Sequence, residues 1–476
     1  MFEWASEAPP APASLSAGER PRERQAGPSP AAGAARRART IGLLAAVLAL
    51  QSADLATVGA VGGPLEGALG IDHFQLGLLA AVASVFAAAA TLPFGVLADR
   101  LPRVRLLVAS VGLWAVAMLA SGFAGSFTTL LACRVLLGVV VAAAGPLLAS
   151  LMGDLFPSAE RARVYGYVLS GELVGAGFGF LVSGNVAGLL SWRWAFWVLA
   201  PPAIALAWAL LRCLPEPARG GRATAHGRRL AQRVASRQGV RPRRAAVVRG
   251  GAAQLSLRQA VAYVLRVRTN VILIAVSATG YLFLAGVETF GVIFLRREYG
   301  LSQPAATTML TLLGVGALAG VQIGGRLADR MLARGRLDAR VLVPAAAFGV
   351  AAGIAFLPFL GAWPLAVAMP LFVAGTAALT CGNPPLDAAR LDVVPASLWG
   401  RAEAIRTVLR SLAVTTAPLL FGWLAGALGG GHGEGLRLSF LIMLAPLCGA
   451  GLILLYARRT YPADVAAAAL SEERVE

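Results

Sequence analysis

The stretch Gly95–Leu107 reads G-V-L-A-D-R-L-P-R-V-R-L-L and decides the fold of this chain. It lies between two long apolar runs, Gln75–Ala98 and Leu106–Phe123, and places one acid and three arginines in the few residues between them. Short loops rich in arginine stay on the cytoplasmic side of a membrane, because translocation disfavours Lys and Arg. The stretch therefore predicts a tight cytoplasmic loop that joins two membrane helices.

The same pattern returns in the second half of the chain. Gly325–Arg330 reads G-R-L-A-D-R and again ends an apolar run. A second repeat matches Asp154–Pro157 (D-L-F-P) to Asp392–Pro395 (D-V-V-P), and each leads into an arginine, Arg161 or Arg401. Repeats this far apart are too long for a solenoid and are typical of the two halves of a transporter.

The composition is that of a membrane protein. Of the 476 residues, 57% are hydrophobic and only 14% are charged, whereas soluble domains are about one quarter charged. The formal net charge of +18 would suit a nucleic-acid partner, but the basic residues lie in loops between apolar runs rather than on one soluble face. We therefore expect the lipid bilayer, and no nucleic acid, as the partner of this chain.

The sequence carries no pattern of catalytic or metal-binding residues. Its four cysteines lie singly in apolar segments, and its three histidines, His73, His226 and His432, lie in loops. Zinc sites need clustered ligands, and nucleophilic catalysis needs a base beside the nucleophile. We expect no enzyme activity, disulfide, metal site or cofactor.

The apolar runs predict an all-α membrane protein with twelve transmembrane helices in two pseudo-symmetric six-helix bundles. A helix needs about 20 residues to cross hydrocarbon. The predicted spans are residues 41–62, 75–97, 106–124, 127–152, 164–190, 194–214, 270–295, 305–327, 341–360, 364–388, 404–428 and 438–457. Loop arginines concentrate on one side, which predicts a multi-pass protein of the plasma (inner) membrane with both termini in the cytoplasm.

Five segments follow from this assignment. They are a disordered cytoplasmic tail (1–35), an N-terminal bundle (36–216), a basic cytoplasmic linker (217–268), a C-terminal bundle (269–459) and a second cytoplasmic tail (460–476) that looks short and frayed. The end of the linker, Leu255–Arg266, has apolar residues at roughly helical spacing and could lie along the anionic leaflet. The alternative is a solvated basic loop that only sets topology.

The loop motif resembles a known family. Gly95–Arg105 resembles the signature loop of the major facilitator superfamily, G-x-L-a-D-R-x-G-R-[KR], with Pro102 in the place of its second glycine. Arg134–Gly138 resembles the R-x-x-x-G element of the same family. The resemblance covers residues 36–459 and implies two six-helix bundles around a central cavity that opens alternately to either side.

Within the superfamily, the first half resembles the Spinster-like lipid and drug carriers. The matching stretches are Ala53–Asp54, Gln75–Leu79, Pro93–Gly95 and Asp154–Pro157. Leu55 and Val141 stand where that subgroup has an arginine and an acid, so a coupling pair built from those residue types is absent. Gly171–Gly175 stands where drug-proton antiporters have G-P-x-x-G-G.

Charges at the ends of the spans are candidates for a gate. Asp99 ends span two, Arg103 follows one turn later, and Asp154 ends span four on the same side, so the three could latch the halves in one state and separate in the other. The candidate gating residues are Asp99, Arg100, Arg103, Asp154, Asp329, Arg330 and Asp392. The alternative is that these charges only set topology, although acids contribute little to it.

The end of span ten predicts a similar rim in the second half. We expect one cluster of Asp387, Arg390, Asp392, Arg330 and Arg401. Asn383–Pro385 (N-P-P) interrupts the span, and a broken helix is tolerated only where the freed carbonyls face protein or a cavity. The break indicates either a gate or hinge or a simple kink.

Four ionisable residues fall deep inside spans, where each costs about 2.5–3.5 kcal/mol on insertion scales. They are Asp54, Arg134, Glu172 and Glu288, the candidates for substrate binding or proton coupling. A carboxyl in a cavity can exchange a proton for substrate as water access alternates. Asp54 is the favoured coupling acid, with Arg134 as its counter-charge or as an anchor for an anionic headgroup. Alternatively Arg134 is a packing residue, Glu172 caps backbone and Glu288 faces outer water.

These features favour a secondary active transporter of a small amphipathic or lipophilic solute, such as a drug-like molecule or a lysolipid. We expect protons as the coupling ion, transport by alternating access, and a monomer. The alternative is a non-transporting membrane receptor or regulator that keeps the transporter fold.

Overall fold

The computed structural model describes residues 30–71, 73–218, 235, 237–248, 252–361, 363–428 and 434–473. Within these ranges the regular structure is helical, without strands, and twelve helices are long and apolar enough to cross a membrane. The predicted all-α class and the number of spans are confirmed. Residues 1–29 of the predicted tail lie outside the described residues, and helix is present from Pro30 onward.

The twelve spans are numbered here from the N-terminus. They are span 1 (Pro30–Ala60), span 2 (His73–Arg100), span 3 (Arg103–Gly122), span 4 (Phe127–Val141 and Ala144–Leu155), span 5 (Arg161–Leu189), span 6 (Trp192–Trp197 and Ala200–Cys213), span 7 (Arg268–Tyr299), span 8 (Gln303–Ala333), span 9 (Ala339–Phe356), span 10 (Leu365–Cys381 and Asn383–Val393), span 11 (Trp399–Leu428) and span 12 (Glu434–Glu473). Short helices also occupy Gly62–Leu69 and Leu257–Arg266.

Spans 4, 6 and 10 are each divided into two helices, and proline explains all three divisions. Pro146, Pro202 and Pro385 each lie just after a division. A proline ring clashes with the carbonyl four residues earlier and supplies no N–H, and in each case that earlier residue lies at the break. The predicted interruption of span 10 is therefore present, between Cys381 and Asn383.

Small residues bring spans into backbone contact. Gly171, Gly175 and Gly179 of span 5 touch the backbone of span 1 so closely that an added Cβ would overlap it. Span 8 contacts span 10 in the same way through Gly316, Gly320 and Gly324. Close approach through small residues is how membrane helices associate without a hydrophobic driving force. Gly171, Gly175 and Gly179 therefore serve the packing of span 5 on span 1.

Residues 460–473, which were expected to be a frayed tail, are helical, so that expectation is wrong for them. Span 12 continues as helix to Glu473, and Tyr461 and Asp464 are fully buried. The Asp464 carboxylate accepts a hydrogen bond from the Thr269 backbone N–H over 3.1 Å, so the extension packs against the start of span 7. A run of small residues lets this last stretch pack closely: Ala467 is fully buried.

The described part of the linker packs on this extension. Val248 donates its backbone N–H to the Ser471 hydroxyl over 3.0 Å, and the Tyr263 hydroxyl donates to the Ala246 carbonyl over 3.0 Å. Burial raises the pKa of Tyr263 above its ordinary value. Leu257–Arg266 is an amphipathic helix that begins with a capping box between Ser256 and Gln259, which satisfies backbone donors at its start.

Candidate functional site

The repeated loop motifs meet at one end of the bundle. Asp99 contacts Arg401, the Trp399 ring stacks against Arg161 at 5.0 Å, and Arg161 lies 3.4 Å from Asp392. Arg340 then joins Asp392 to Asp329. This chain of contacts places both motifs on the same side, and we call this side the basic end.

Asp99 caps a helix of the other half. Its carboxylate accepts hydrogen bonds from the backbone N–H groups of Gly400 at 2.9 Å and of Arg401 at 3.2 Å, and from Arg401 Nε at 2.7 Å. Gly400 and Arg401 open span 11, where backbone N–H groups lack intrahelical partners and the helix dipole favours an anion. Asp99 thereby links span 2 to span 11.

Asp329 makes the corresponding contact in the opposite direction. It lies near the end of span 8 and accepts a hydrogen bond from the Arg163 backbone N–H, in the first turn of span 5, over 2.7 Å. Its other oxygen lies 3.5 Å from Arg340 Nη2. Each half therefore offers one carboxylate to a helix N-terminus of the other half. The sequence repeat is matched by a repeat of the contact.

The glycine that opens each motif explains how the spans come so close. A Cβ on Gly95 would lie 2.6 Å from Ala404 Cβ and 3.0 Å from the Gly400 carbonyl oxygen. A Cβ on Gly325 would overlap the Ala162 carbonyl. The glycine allows the helices to touch, and the aspartate four residues later caps the helix that is touched.

The predicted cluster of Asp99, Arg103 and Asp154 needs a correction. Arg103 does form an ion pair with Asp154, and its Nε lies 3.1 Å from Glu216, which sequence reasoning missed. All three belong to the first half, so this pair does not join the halves, whereas Asp99 reaches across to Arg401. Glu216 follows span 6 in a short acidic and proline-containing stretch, P-E-P, which is the signal that was available.

Asp392 is the centre of a second contact between the halves. It accepts hydrogen bonds from the Ser158 hydroxyl at 3.1 Å and the Tyr461 hydroxyl at 2.7 Å, and it pairs with Arg340 and Arg161. Ser158 and Arg161 come from the first half, and the other three residues come from the second. The acid repeat Asp154/Asp392 therefore marks two buried carboxylates. Asp154 pairs with Arg103 of its own half, and Asp392 makes the contacts between the halves given above.

The expected rim cluster of the second half is wrong in its membership. Arg401 pairs with Asp99 instead. Arg330 is exposed, and so is Arg100 at the matching position of the first half. Asp387 and Arg390 instead form a buried four-charge network with two residues of span 11. Its distances are 2.6 Å for Arg390–Asp387, 2.6 Å for Arg390–Glu403, 2.7 Å for Arg406–Glu403 and 3.6 Å for Arg406–Asp387.

Asp54 and Arg134 lie together inside the first half. Arg134 Nη1 is 3.0 Å from Asp54 Oδ1, and the two side chains are only 2% and 3% exposed. The guanidinium also stacks on the Phe196 ring at 4.9 Å. Arg134 Nη2 has no hydrogen-bond partner in the described part of the chain. Spans 1, 4 and 6 thus enclose a buried ion pair with one unused donor.

Glu172 lies on span 5 and Glu288 on span 7, so they belong to different halves. Glu288 is exposed, and Glu172 is partly buried. Neither carboxylate makes a hydrogen bond or ion pair with another described residue, so the capping role considered for Glu172 finds no partner there. Of the four predicted intramembrane charges, the structure therefore brings together Asp54 and Arg134.

A family comparison agrees with this geometry. A model of the Major Facilitator Superfamily matches residues 43–389 of this chain. The chain belongs to that superfamily. Its members are transporters, and the predicted membership is confirmed.

Superfamily transporters with curated names match parts of the chain. The 3-(3-hydroxy-phenyl)propionate transporter of Escherichia coli (strain K12) is 30% identical over 190 residues, which is 40% of this chain and 47% of that protein. Protein spinster of Drosophila melanogaster is 28% identical over 182 residues, 38% of this chain and 30% of that protein. The 4-hydroxybenzoate transporter of Pseudomonas aeruginosa is 31% identical over 173 residues, 36% of this chain and 39% of that protein. Each match thus spans less than half of the relative's length.

Solved superfamily structures resemble the whole bundle. A bacterial homologue of the lysosomal transporter Spinster, in an inward-facing and unoccupied conformation, has a TM-score of 0.57 at 21% identity, over 92% of this chain and 99% of that chain. A bacterial homologue of the iron transporter ferroportin, in an outward-facing state, has a TM-score of 0.64 at 16% identity, over 88% and 98%. The predicted two-bundle fold is confirmed, and these two states of one fold support alternating access.

Proposed function

We propose that this superfamily member is a secondary active transporter that couples protons to the movement of a small amphipathic solute. The basic end faces the cytoplasm in this proposal, because short arginine-rich loops are retained on that side. The protein then spans the plasma (inner) membrane with both termini inside the cell.

The contact pattern at the basic end is the observation that carries the proposal. Asp99 and Asp329 each cap a helix that belongs to the other half. A helix cap contributes about 0.5–2 kcal/mol. A solute that binds the open state more tightly than the closed state can therefore supply enough free energy to break both caps. The two caps act together with the contacts of Asp392 between the halves, and a gate of several small contacts suits a protein that must open and close repeatedly.

The pair of Asp54 and Arg134 supports proton coupling. A buried ion pair is weak evidence for stability, because desolvation offsets its attraction, and ionisable residues inside spans often mark proton or substrate pathways. Protonation of Asp54 would remove the negative charge that holds Arg134 and so weaken their contact. Arg134 could then take up an anionic group or change partners, which links proton binding to a change in the first half.

The relatives support an amphipathic organic solute. Two of them are named for the transport of aromatic acids, and another is a Spinster protein. Solutes of this kind combine an apolar body with one polar or charged group, which suits a protein whose described core is largely apolar and whose buried charges lie in pairs and networks.

The test is solute-driven proton movement in proteoliposomes. Purified protein is reconstituted with a pH-sensitive dye inside, and aromatic acids, lysolipids and aromatic amines are added one at a time. We expect at least one solute to change the internal pH only when the protein is present. If a solute raises the melting temperature of the protein but is not transported and causes no proton movement, the result would instead favour the alternative, a receptor with a transporter fold.

A further inference from the structure

The linker helix, Leu257–Arg266, exposes leucines beside arginines. Leu257 is 37% exposed and Leu265 is 45% exposed, and Arg258 and Arg266 are exposed as well. Neither arginine side chain forms an ion pair with another described residue. Single exposed apolar residues are ordinary on a protein surface, but two leucines and two unpaired arginines on one short helix indicate a surface that binds something.

Two faces of the linker helix are held by the protein. Ala260 and Val264 are fully buried, and the Asn270 side chain of span 7 donates to the Val264 carbonyl over 3.2 Å. Tyr263 lies on a neighbouring face, where its hydroxyl donates to the Ala246 carbonyl over 3.0 Å. These contacts fix the helix against span 7 and against the preceding part of the linker, so its other faces have a defined direction.

The other faces carry the exposed residues. Leu257, Val261 and Leu265 follow one another at intervals of four positions, which places them on one side of the helix, and we call them the apolar stripe. Val261 and Tyr263 are two positions apart, so the stripe lies nearly opposite the contact of Tyr263 with the linker. The two exposed arginines share the face next to the stripe, away from the buried residues.

The position of the linker helix in the chain places it at the membrane surface. The helix ends at Arg266, and span 7 begins at Arg268, so one residue separates it from a membrane-spanning helix. Amphipathic helices with leucines on one face and arginines beside them lie in the interface of a bilayer. The long arginine side chains reach the headgroups from there, and anionic lipid of the cytoplasmic leaflet attracts them.

The start of the linker helix also touches the gate. The Leu255 carbonyl, two residues before the helix, accepts a hydrogen bond from Arg401 Nη1 over 2.7 Å. Arg401 Nη2 donates to the Ser397 carbonyl over 3.1 Å, and Nε is the atom that meets Asp99 at 2.7 Å. Because a guanidinium is a rigid planar fork, the two carbonyls fix the direction in which Nε points. The linker therefore holds Arg401 in the orientation that Asp99 requires.

We propose that the linker helix binds anionic phospholipid of the cytoplasmic leaflet, with the apolar stripe among the acyl chains and Arg258 and Arg266 on the headgroup phosphates, and that this lipid favours the closed basic end. The proposal rests on the proposed function for the orientation of the protein and for the gate. A helix held on the leaflet keeps the Leu255 carbonyl against Arg401, so the bound lipid stabilises the state in which Arg401 meets Asp99. Lipid composition thereby regulates the gate.

The first test measures the contact with lipid directly. A fluorophore is attached to the full chain through Ala262→Cys, at an exposed position of the linker helix, in protein without its native cysteines. The protein is placed in nanodiscs that contain either spin-labelled phosphatidylglycerol or spin-labelled phosphatidylcholine. We expect the anionic lipid to quench the fluorophore about threefold more strongly. Arg258→Gln combined with Arg266→Gln should remove this difference.

The second test measures the gate. The distance between spin labels at the exposed positions 105 and 334 is compared in nanodiscs of phosphatidylcholine with and without phosphatidylglycerol. We expect phosphatidylglycerol to raise the closed-to-open ratio by about threefold. Leu257→Ser combined with Leu265→Ser should abolish this response, as should the arginine double variant, so the proposal stays testable if one of the two folds poorly.

A matched control removes the same charge elsewhere on the linker. Arg241 and Arg244 are exposed and lie before the linker helix, so Arg241→Gln combined with Arg244→Gln should respond to lipid like the unaltered protein. An equal loss of response in this control would mean a general effect of charge and would overturn the linker helix as the binding surface. Displacement of the anionic lipid by inorganic phosphate would also overturn it, since the site would then be one for a soluble anion.

The remaining outcomes separate this proposal from the proposed function. Equal quenching by the two lipids, or a closed-to-open ratio that does not change with phosphatidylglycerol, overturns the lipid surface. If Asp99→Ala still changes the spin-label distance in that case, the gate stands and only its regulation by lipid falls. Proton-coupled transport is measured separately in proteoliposomes, so its failure is not confused with either result.

Discussion

The Asp99 carboxylate lies 2.7 Å from Arg401 Nε although the two residues are 302 positions apart in the chain. The same carboxylate caps the first turn of span 11 through the Gly400 and Arg401 backbone N–H groups. One side chain therefore contributes both an ion pair and a helix cap to the interface of the two halves. This makes it the most direct point at which to shift the equilibrium between closed and open states of the basic end.

Asp99→Ala is expected to open the basic end. It removes the cap and the ion pair, and a loss of about 1.4 kcal/mol corresponds to a tenfold change in the open-to-closed ratio. Asp99→Asn should shift the ratio less, since asparagine still caps a helix. The measurement is the distance distribution between spin labels at the exposed positions 105 and 334, in protein without its native cysteines. Asp338→Asn, which alters a partly exposed pair with Arg458, is the control, and an unchanged distribution in Asp99→Ala would contradict the gate.

Asp329→Ala should act in the same direction and by a smaller amount, because its ion pair with Arg340 lies within the second half. It removes the cap that span 8 provides to span 5. If both caps bias one two-state equilibrium, the free-energy shifts of Asp99→Ala and Asp329→Ala add in the double variant. The same labels measure this. If the double variant has no larger open fraction than either single variant, the two contacts do not act on the same open–closed equilibrium.

The sequence predicted the fold and the two carboxylates, but not their partners. Alternation of apolar runs and arginine loops is a local signal, and it indicated twelve spans. The motif repeat pointed to Asp99 and Asp329 for the same reason. Arg401 was assigned to the wrong acid, because its true partner is near only once the two halves pack together.

Other misses have a similar cause. Arg406 lies in the predicted span 404–428 and Glu403 just before it, and neither was predicted to pair, although they neutralise Asp387 and Arg390. Tyr461 fell in the segment predicted to be a tail, because its partner, Asp392, is on another span. Pairing of this kind depends on tertiary packing, which no single stretch of sequence encodes.

Gly95→Ala should weaken the closed state without removing any charge. The added Cβ would lie 2.6 Å from Ala404 Cβ, so span 2 must move away from span 11, and overpacking of this kind typically costs about 1–3 kcal/mol. The spin-label distance should lengthen. Gly112→Ala in span 3 is the matched control, since its Cβ would meet nothing within 4 Å. Equal behaviour of the two variants would rule out a tight contact at Gly95.

Tyr461→Phe should lower thermal stability. Its hydroxyl donates to Asp392 over 2.7 Å, and a hydrogen bond to a charged group contributes about 1.5–3 kcal/mol. Tyr456→Phe, at a residue that is 52% exposed, should leave the melting temperature unchanged. Differential scanning fluorimetry in detergent compares the two variants. A melting temperature for Tyr461→Phe equal to that of the control would show that the bond from Tyr461 to Asp392 does not stabilise the protein.

Asp54→Asn should abolish uptake driven by a pH gradient while leaving the fold intact. The amide keeps the size of the carboxyl and can still accept from Arg134, but it cannot take up and release a proton, so the step that links proton binding to Arg134 is lost. Uptake of a solute that moves protons in the unaltered protein is measured with an inward proton gradient. Exchange of the same solute across the membrane without a gradient should persist, because it needs opening and closing but no net proton movement. Glu298→Gln is the control for a span carboxyl outside the pair. If Asp54→Asn protein takes up solute under a proton gradient at the unaltered rate, Asp54 is not the coupling residue. Glu172 and Glu288 would then be the next candidates.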